Sequence, residues 1–191
     1  MPALLVIDVQ NDFCPGGALA VKDGDKIIGP INEVIGLFSK NGWPICASRD
    51  WHHPDTEHFK KWPPHCIQST RGASFHSDLK ITGATYVITK GASKKDDGYS
   101  PFEGKFYNLS LDDLLKIFGV TKLFVCGLAT DYCVKAACLD AARPERNYLK
   151  KVYLLTDACK AVNLNPVDEA NALEEMRRAG VIFTTTDEVL R

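Results

Sequence analysis

The feature that most constrains this chain is an alternation of six short runs rich in β-branched and aromatic residues with segments patterned for helix. The runs are ALLVI (3–7), PICAS (44–48), TYVIT (85–89), KLFVC (122–126), KVYLL (151–155) and VIFT (181–184). Apolar runs this short, bounded by turn formers, read as buried strands. Residues 24–39 carry Ile27, Ile28, Ile31, Val34, Ile35 and Leu37 at helical spacing, with Gly42 as the stop. Ser110 and Asp113 have the spacing of a capping box, and Gly119 ends the helix they begin. Asn165 before Pro166 reads as the N-cap of a later helix that Gly180 closes. Strands alternating with helices predict a three-layer α/β/α fold with a mainly parallel six-stranded sheet. With 45% apolar residues, the chain has material for one continuous core, so residues 1–191 are expected to form a single domain.

A formal charge of -1, from 23 basic and 24 acidic residues, removes the electrostatic reason to expect nucleic acid or an anionic membrane as partner. A small-molecule ligand is expected, and assembly into a homo-oligomer is left open. No apolar run is long enough to span a bilayer, and MPALLVIDVQNDF lacks the marks of a signal peptide. Seven scattered cysteines form no disulfide framework, which favours reduced thiols and a cytoplasmic location.

In an open parallel sheet, ligands bind beyond the carboxyl ends of the strands. Asp8 follows the first strand, Asp50 lies two residues past the second, Lys90 follows the third, and GLATDYC follows the fourth. Singly, such an Asp is commonly a turn former and such a Lys a solvated side chain. Jointly, four reactive groups should line one edge. Cys133 falls in the first turn of a helix expected to begin near Thr130 or Asp131, where the helix dipole and a nearby ammonium favour a thiolate. Cys46, Cys126 and Cys138 are assigned to the core.

The segment RDWHHPDTEHFKKWPPHC (49–66) holds four of the five histidines. Asp50 and His52 could ligate one ion, joined by His65. A polar loop with surface histidines fits the spacing equally well. Trp62 beside two prolines, and Phe13 after the first strand, could stack on a flat ligand or simply pack in the core. His76 has no evident partner and is assigned to the surface.

Together, LLVIDVQNDFCPGGALAV, SRDWHHPDTEHF, WPPHC, VITKG, YSPFEG, CGLATDYCV and LLTDAC resemble the isochorismatase-like hydrolases, and within them the nicotinamidase group. The resemblance implies an amidohydrolase that converts nicotinamide to nicotinate and ammonia in NAD salvage through a Cys133 thioester. By the same resemblance Asp8 is the general acid and base and Lys90 contacts both it and Cys133. Asp50, His52 and His65 match the family's metal ligands. His58 matches a version with a fourth histidine, and Glu57 is the alternative. The implied cofactor is one divalent metal: zinc, with iron and manganese also compatible. The resemblance further implies a cis Leu128–Ala129 peptide, an oxyanion hole from the N–H groups of Ala129 and Cys133, and a substrate pocket lined by Phe13, Trp62, Tyr99 and Tyr132. Another amidase or N-carbamoyl hydrolase on the same scaffold, and a noncatalytic metal- or ligand-binding protein, are the competing readings.

Overall fold

A computed structural model describes all 191 residues. Its sheet has eight strands in the order β5-β4-β3-β2-β1-β6-β7-β8. They are β1 (Pro2–Ile7), β2 (Ile45–Asp50), β3 (Tyr86–Lys90), β4 (Lys105–Phe106), β5 (Leu109–Ser110), β6 (Lys122–Leu128), β7 (Lys151–Lys160) and β8 (Ile182–Thr184). The six strands expected from sequence are all present and parallel to their neighbours among themselves. The two extra strands form a hairpin of two-residue strands, antiparallel to β3 and to each other.

β1 is central and buried from Ala3 onward, which explains its uninterrupted apolar sequence. The helices are α1 (Ile28–Lys40), α2 (Leu111–Ile117), α3 (Lys135–Ala141), α4 (Asp168–Arg178) and α5 (Thr186–Leu190). α1 buries Ile28, Ile31, Val34, Ile35 and Phe38, one stripe at helical spacing. Phe38 is fully buried and meets Trp43 and Phe124 edge-on, at centroid distances of 5.2 and 5.7 Å. α1 packs against α5, while α3 packs against α4, β6 and β7. Right-handed crossovers running outward in opposite directions from β1 and β6 place these two helix pairs on opposite faces. The strand order reverses direction between β1 and β6, which marks the switch point where the crevice opens.

Local boundaries differ from the sequence pattern in two places. Residues 24–27 form a tighter 3-10 turn, so α1 starts at Ile28. Asn165 does not cap α4: it, Pro166 and Val167 form a turn in which the Asn165 N–H donates to Asp168 Oδ2 at 2.8 Å, and the helix begins at Asp168. The Ser110–Asp113 capping box is present as read. No helix is long and apolar enough to cross a membrane.

Candidate active site

The carboxyl ends of β3, β2, β1 and β6 bring Lys90, Asp50, Asp8 and the segment leading to Cys133 together. Lys90 is fully buried, and its ammonium lies 2.8 Å from Asp8 Oδ2, 2.5 Å from Asp50 Oδ1, 2.5 Å from the Gly98 carbonyl and 3.6 Å from Cys133 Sγ. Four acceptors thus surround three N–H bonds. Burial alone would drive Lys90 toward neutrality, but Asp50 and Asp8 outweigh it and raise its pKa well above the ordinary value. The two carboxylates thus hold it as a cation.

The two carboxylates behave differently. Burial pushes Asp8 from 3.8 up to about 6, with the charge of Asp50 adding to the rise and Lys90 opposing it. Burial acts the same way on Asp50, but there Lys90 prevails and holds it at about 2. Asp8 is fixed by Ser48, whose hydroxyl donates to its Oδ1 at 2.7 Å. Asp50 is fixed by Gln10, whose side chain brackets it: Gln10 Oε1 accepts from the Asp50 N–H, and Gln10 Nε2 donates to the Asp50 carbonyl, both at 2.8 Å.

Cys133 sits in one turn of π-helix, Thr130–Val134, that leads into α3. Burial, together with Asp8 and Asp50, raises its thiol well above the usual range, and Lys90 offsets this only in part. Burial and the two carboxylates thus favour the thiol form, opposing the thiolate that the helix start and Lys90 were expected to favour. An oxygen from each of Asp8 and Asp50 lies within 4.8 Å of Sγ and of the other, so a base is at hand. The Leu128–Ala129 peptide just before this turn is cis.

Beside this cluster, His52, His58 and His65 are buried and bring one ring nitrogen each to within 4.8 Å of one another. Each Nδ1 has a polar neighbour: the Gly91 carbonyl at 3.2 Å for His52, Asp97 Oδ1 at 2.9 Å for His58, and the Pro63 carbonyl at 2.7 Å for His65. With these acceptors each ring carries its proton on Nδ1 and presents Nε2 as a lone pair, the arrangement of a metal-ligating histidine. His52 Nε2 is buried and has no hydrogen-bond partner, and Asp50 Oδ2 lies 3.7 Å from it. Two buried carboxylates facing one ammonium leave net negative charge, which a cation here would offset. Burial lowers the pKa of His58 and His65, keeping them neutral and ready to ligate. This donor set fits a divalent metal. Glu57, the alternative to His58, is exposed.

Phe13, Trp62, Tyr99, Leu128, Tyr132 and Cys133 line one cavity, so all four aromatics expected from sequence converge there. Trp62 Nε1 donates to Tyr99 Oη at 3.0 Å and its ring meets Tyr132 edge-on at 5.1 Å. Phe13 stands 5.4 Å from the His65 ring. Leu19, Val21 and Val162 complete the apolar wall and were missed in the sequence. Val162 follows β7, which runs to Lys160, five residues past the apolar run 151–155 read from sequence, so the strand-end rule did not reach it. Ser48, Gln10 and Asp97 were also missed. His76 is partly buried, with Nδ1 accepting from the Asp78 N–H at 3.2 Å, and stays outside the cluster.

The sequence profile described as "Isochorismatase domain" matches residues 2–188. The chain belongs to the isochorismatase family. Among its relatives in that family, the nicotinamidase of Escherichia coli (strain K12) is 39% identical over 207 residues, covering 97% of this chain and 95% of that one. The nicotinamidase/pyrazinamidase of Mycobacterium tuberculosis is 37% identical, with 95% and 97% covered. The crystal structure of a pyrazinamidase of Pyrococcus horikoshii in complex with zinc has a TM-score of 0.86 and 40% identity, covering 96% of this chain and 98% of that one. The isochorismatase-family fold of this chain is therefore shared with amidases over nearly its whole length.

Proposed function

We propose that the protein is a nicotinamidase, hydrolysing nicotinamide to nicotinate and ammonia with Cys133 as nucleophile and Asp8 as general acid and base. The observation that carries this reading is the Lys90 ammonium held against Asp8 and Asp50 with Cys133 Sγ 3.6 Å away, at the end of a cavity walled by aromatic rings. Relatives named nicotinamidase at this level of identity support the substrate.

An amide is a weak electrophile, so the reaction needs a strong nucleophile, stabilisation of the tetrahedral oxyanion and a proton for the departing nitrogen. With a pKa of about 6, Asp8 is ionised at neutral pH yet basic enough to accept the thiol proton as Sγ attacks the carboxamide carbon. The N–H groups of Ala129 and Cys133 receive the oxyanion. Asp8 then passes its proton to the nitrogen, the C–N bond breaks, ammonia leaves and a thioester remains on Cys133. Asp8 takes a proton from water as the water attacks the thioester. The C–S bond breaks, nicotinate departs, and the proton returns to sulfur. Lys90 stabilises the thiolate that develops during attack without giving up a proton of its own.

Phe13, Trp62, Tyr99 and Tyr132 hold the flat ring. Asp50, His52, His58 and His65 would hold a divalent metal, zinc in this proposal, which when bound would supply a Lewis-acid contact for the pyridine nitrogen. The test is to incubate metal-loaded protein with nicotinamide and measure ammonia and nicotinate, with Cys133→Ala in parallel. Equimolar products from the wild type and none from the variant are expected. No release from the wild type would sink the substrate assignment.

A further inference from the structure

We infer that Asp97 is a positioning residue of the metal site, which selects His58 as the fourth ligand by fixing its ring nitrogens. This rests on the proposed metal site. Of the three clustered histidines, two face neutral backbone carbonyls through Nδ1, whereas His58 alone faces a carboxylate, Asp97 Oδ1 at 2.9 Å. A carboxylate accepting from Nδ1–H fixes the tautomer with Nε2 free and makes that nitrogen a stronger donor to a cation.

The carboxylate is itself aimed. Lys61 Nζ sits 2.7 Å from Asp97 Oδ2, so one oxygen meets the lysine and the other the imidazole. The two loops are joined alongside, where the Lys94 carbonyl accepts from the Glu57 N–H at 2.9 Å and from Thr56 Oγ1 at 3.2 Å. Asp97 is 37% exposed and Lys61 60% exposed, and an ion pair in such a setting adds little to stability. Its effect lies in orientation. His58 in turn stacks on His52, with centroids 4.6 Å apart and planes at 14°, so a rotation of His58 would displace its neighbour as well.

The loop that carries Asp97 serves both halves of the site. Asp96 accepts from the N–H groups of Gly91 and Gly98 at 3.0 and 2.9 Å, the Asp97 carboxylate goes to His58, and the Gly98 carbonyl goes to Lys90. Gly98 has φ +70°, and a Cβ there would come within 2.7 Å of Gly91 backbone atoms. The loop therefore closes this tightly only with glycine at 98.

The test is a zinc titration without substrate, in competition with a chromophoric chelator, on chelator-stripped wild type, Asp97→Ala, Asp97→Asn, His58→Ala and the Asp97→Ala/His58→Ala double variant. Asp97→Ala should weaken zinc binding roughly 10- to 100-fold. Asp97→Asn should keep most of the affinity, because its side-chain oxygen still accepts from Nδ1–H. In the His58→Ala background, removing Asp97 should cost nothing more. Wild-type affinity in Asp97→Ala, or the same loss with and without His58, would overturn the inference, as would a wild type that takes up no zinc. Intact zinc binding with no nicotinamide hydrolysis would sink only the substrate assignment.

Discussion

Replacing Asp8 by Asn should make the protein more stable while abolishing turnover. The substitution suits the backbone, because position 8 has φ +48°, a left-handed conformation that Asn tolerates well. It also removes a charge that the fold holds at a cost. Asp8 is raised from 3.8 to about 6 in the folded chain, so the native state binds its proton more tightly than the unfolded state does. That contribution is fully present below 3.8 and is lost as pH rises through about 6. At ~1.4 kcal/mol per pH unit, the gap corresponds to about 3 kcal/mol of stability missing from the wild type at pH 8. Asn behaves like the protonated acid at every pH and avoids the loss, while Lys90 remains balanced by Asp50. Urea unfolding of both proteins, metal-free, should show Asp8→Asn more stable at pH 8 by up to about 3 kcal/mol, or ~6–12 °C in Tm for a chain of this size. The difference should shrink toward pH 4. Turnover should fall at least ~100-fold because the proton acceptor is gone. If Asp8→Asn were less stable than wild type at pH 8, the argument that burial outweighs Lys90 at this carboxylate would be refuted. Retained turnover would refute the base role.

Two further outcomes follow from the same cluster. The kcat/KM of the metal-loaded enzyme should fall toward acid pH, about tenfold per pH unit once below the Asp8 pKa, as Asp8 takes up its proton; a flat profile down to pH 4.5 would assign the base elsewhere. Lys90→Met keeps the length of the side chain but leaves Asp8 and Asp50 buried without their cation, so it should destabilise the fold by about 3–5 kcal/mol and raise the pKa of both carboxylates. Chemical denaturation checks the first effect, and loss of turnover at neutral pH the second.

The parts legible in the sequence were those governed by one strong local signal. The six parallel strands announced themselves through apolar runs, the central ones because they are buried; β8, three residues long with Ile182 exposed, showed the run without the burial. Asp8, Asp50, Lys90 and Cys133 were found because a strand end fixes where the next side chain goes. The β4–β5 hairpin escaped because two residues are too few to show a period of two. Asp97 escaped because its partner, His58, is 39 residues away and joined to it only by the meeting of two loops. The upward shift of the Cys133 thiol escaped for a different reason. Its position at a helix start was readable, but burial and the sum of two carboxylates against one ammonium are tertiary quantities.

The pairing of β2 with β3 sets Asp50 beside Lys90, and the pairing of β1 with β2 sets Ile7 beside Ser48, just ahead of Asp8. Strand registry is thus the ruler by which the chemistry is measured out. A slip of one residue in β3 would carry the ammonium to the opposite face of the sheet, leaving both acids behind it. The protein could keep its hydrogen-bonded ladder, and much of its apolar interior, and still hold Cys133, Asp8 and Lys90 out of reach of one another. The proposed reaction therefore depends on alignment as much as on residue identity, and the apolar residues of β1, β2 and β3 contribute to it through the positions they enforce.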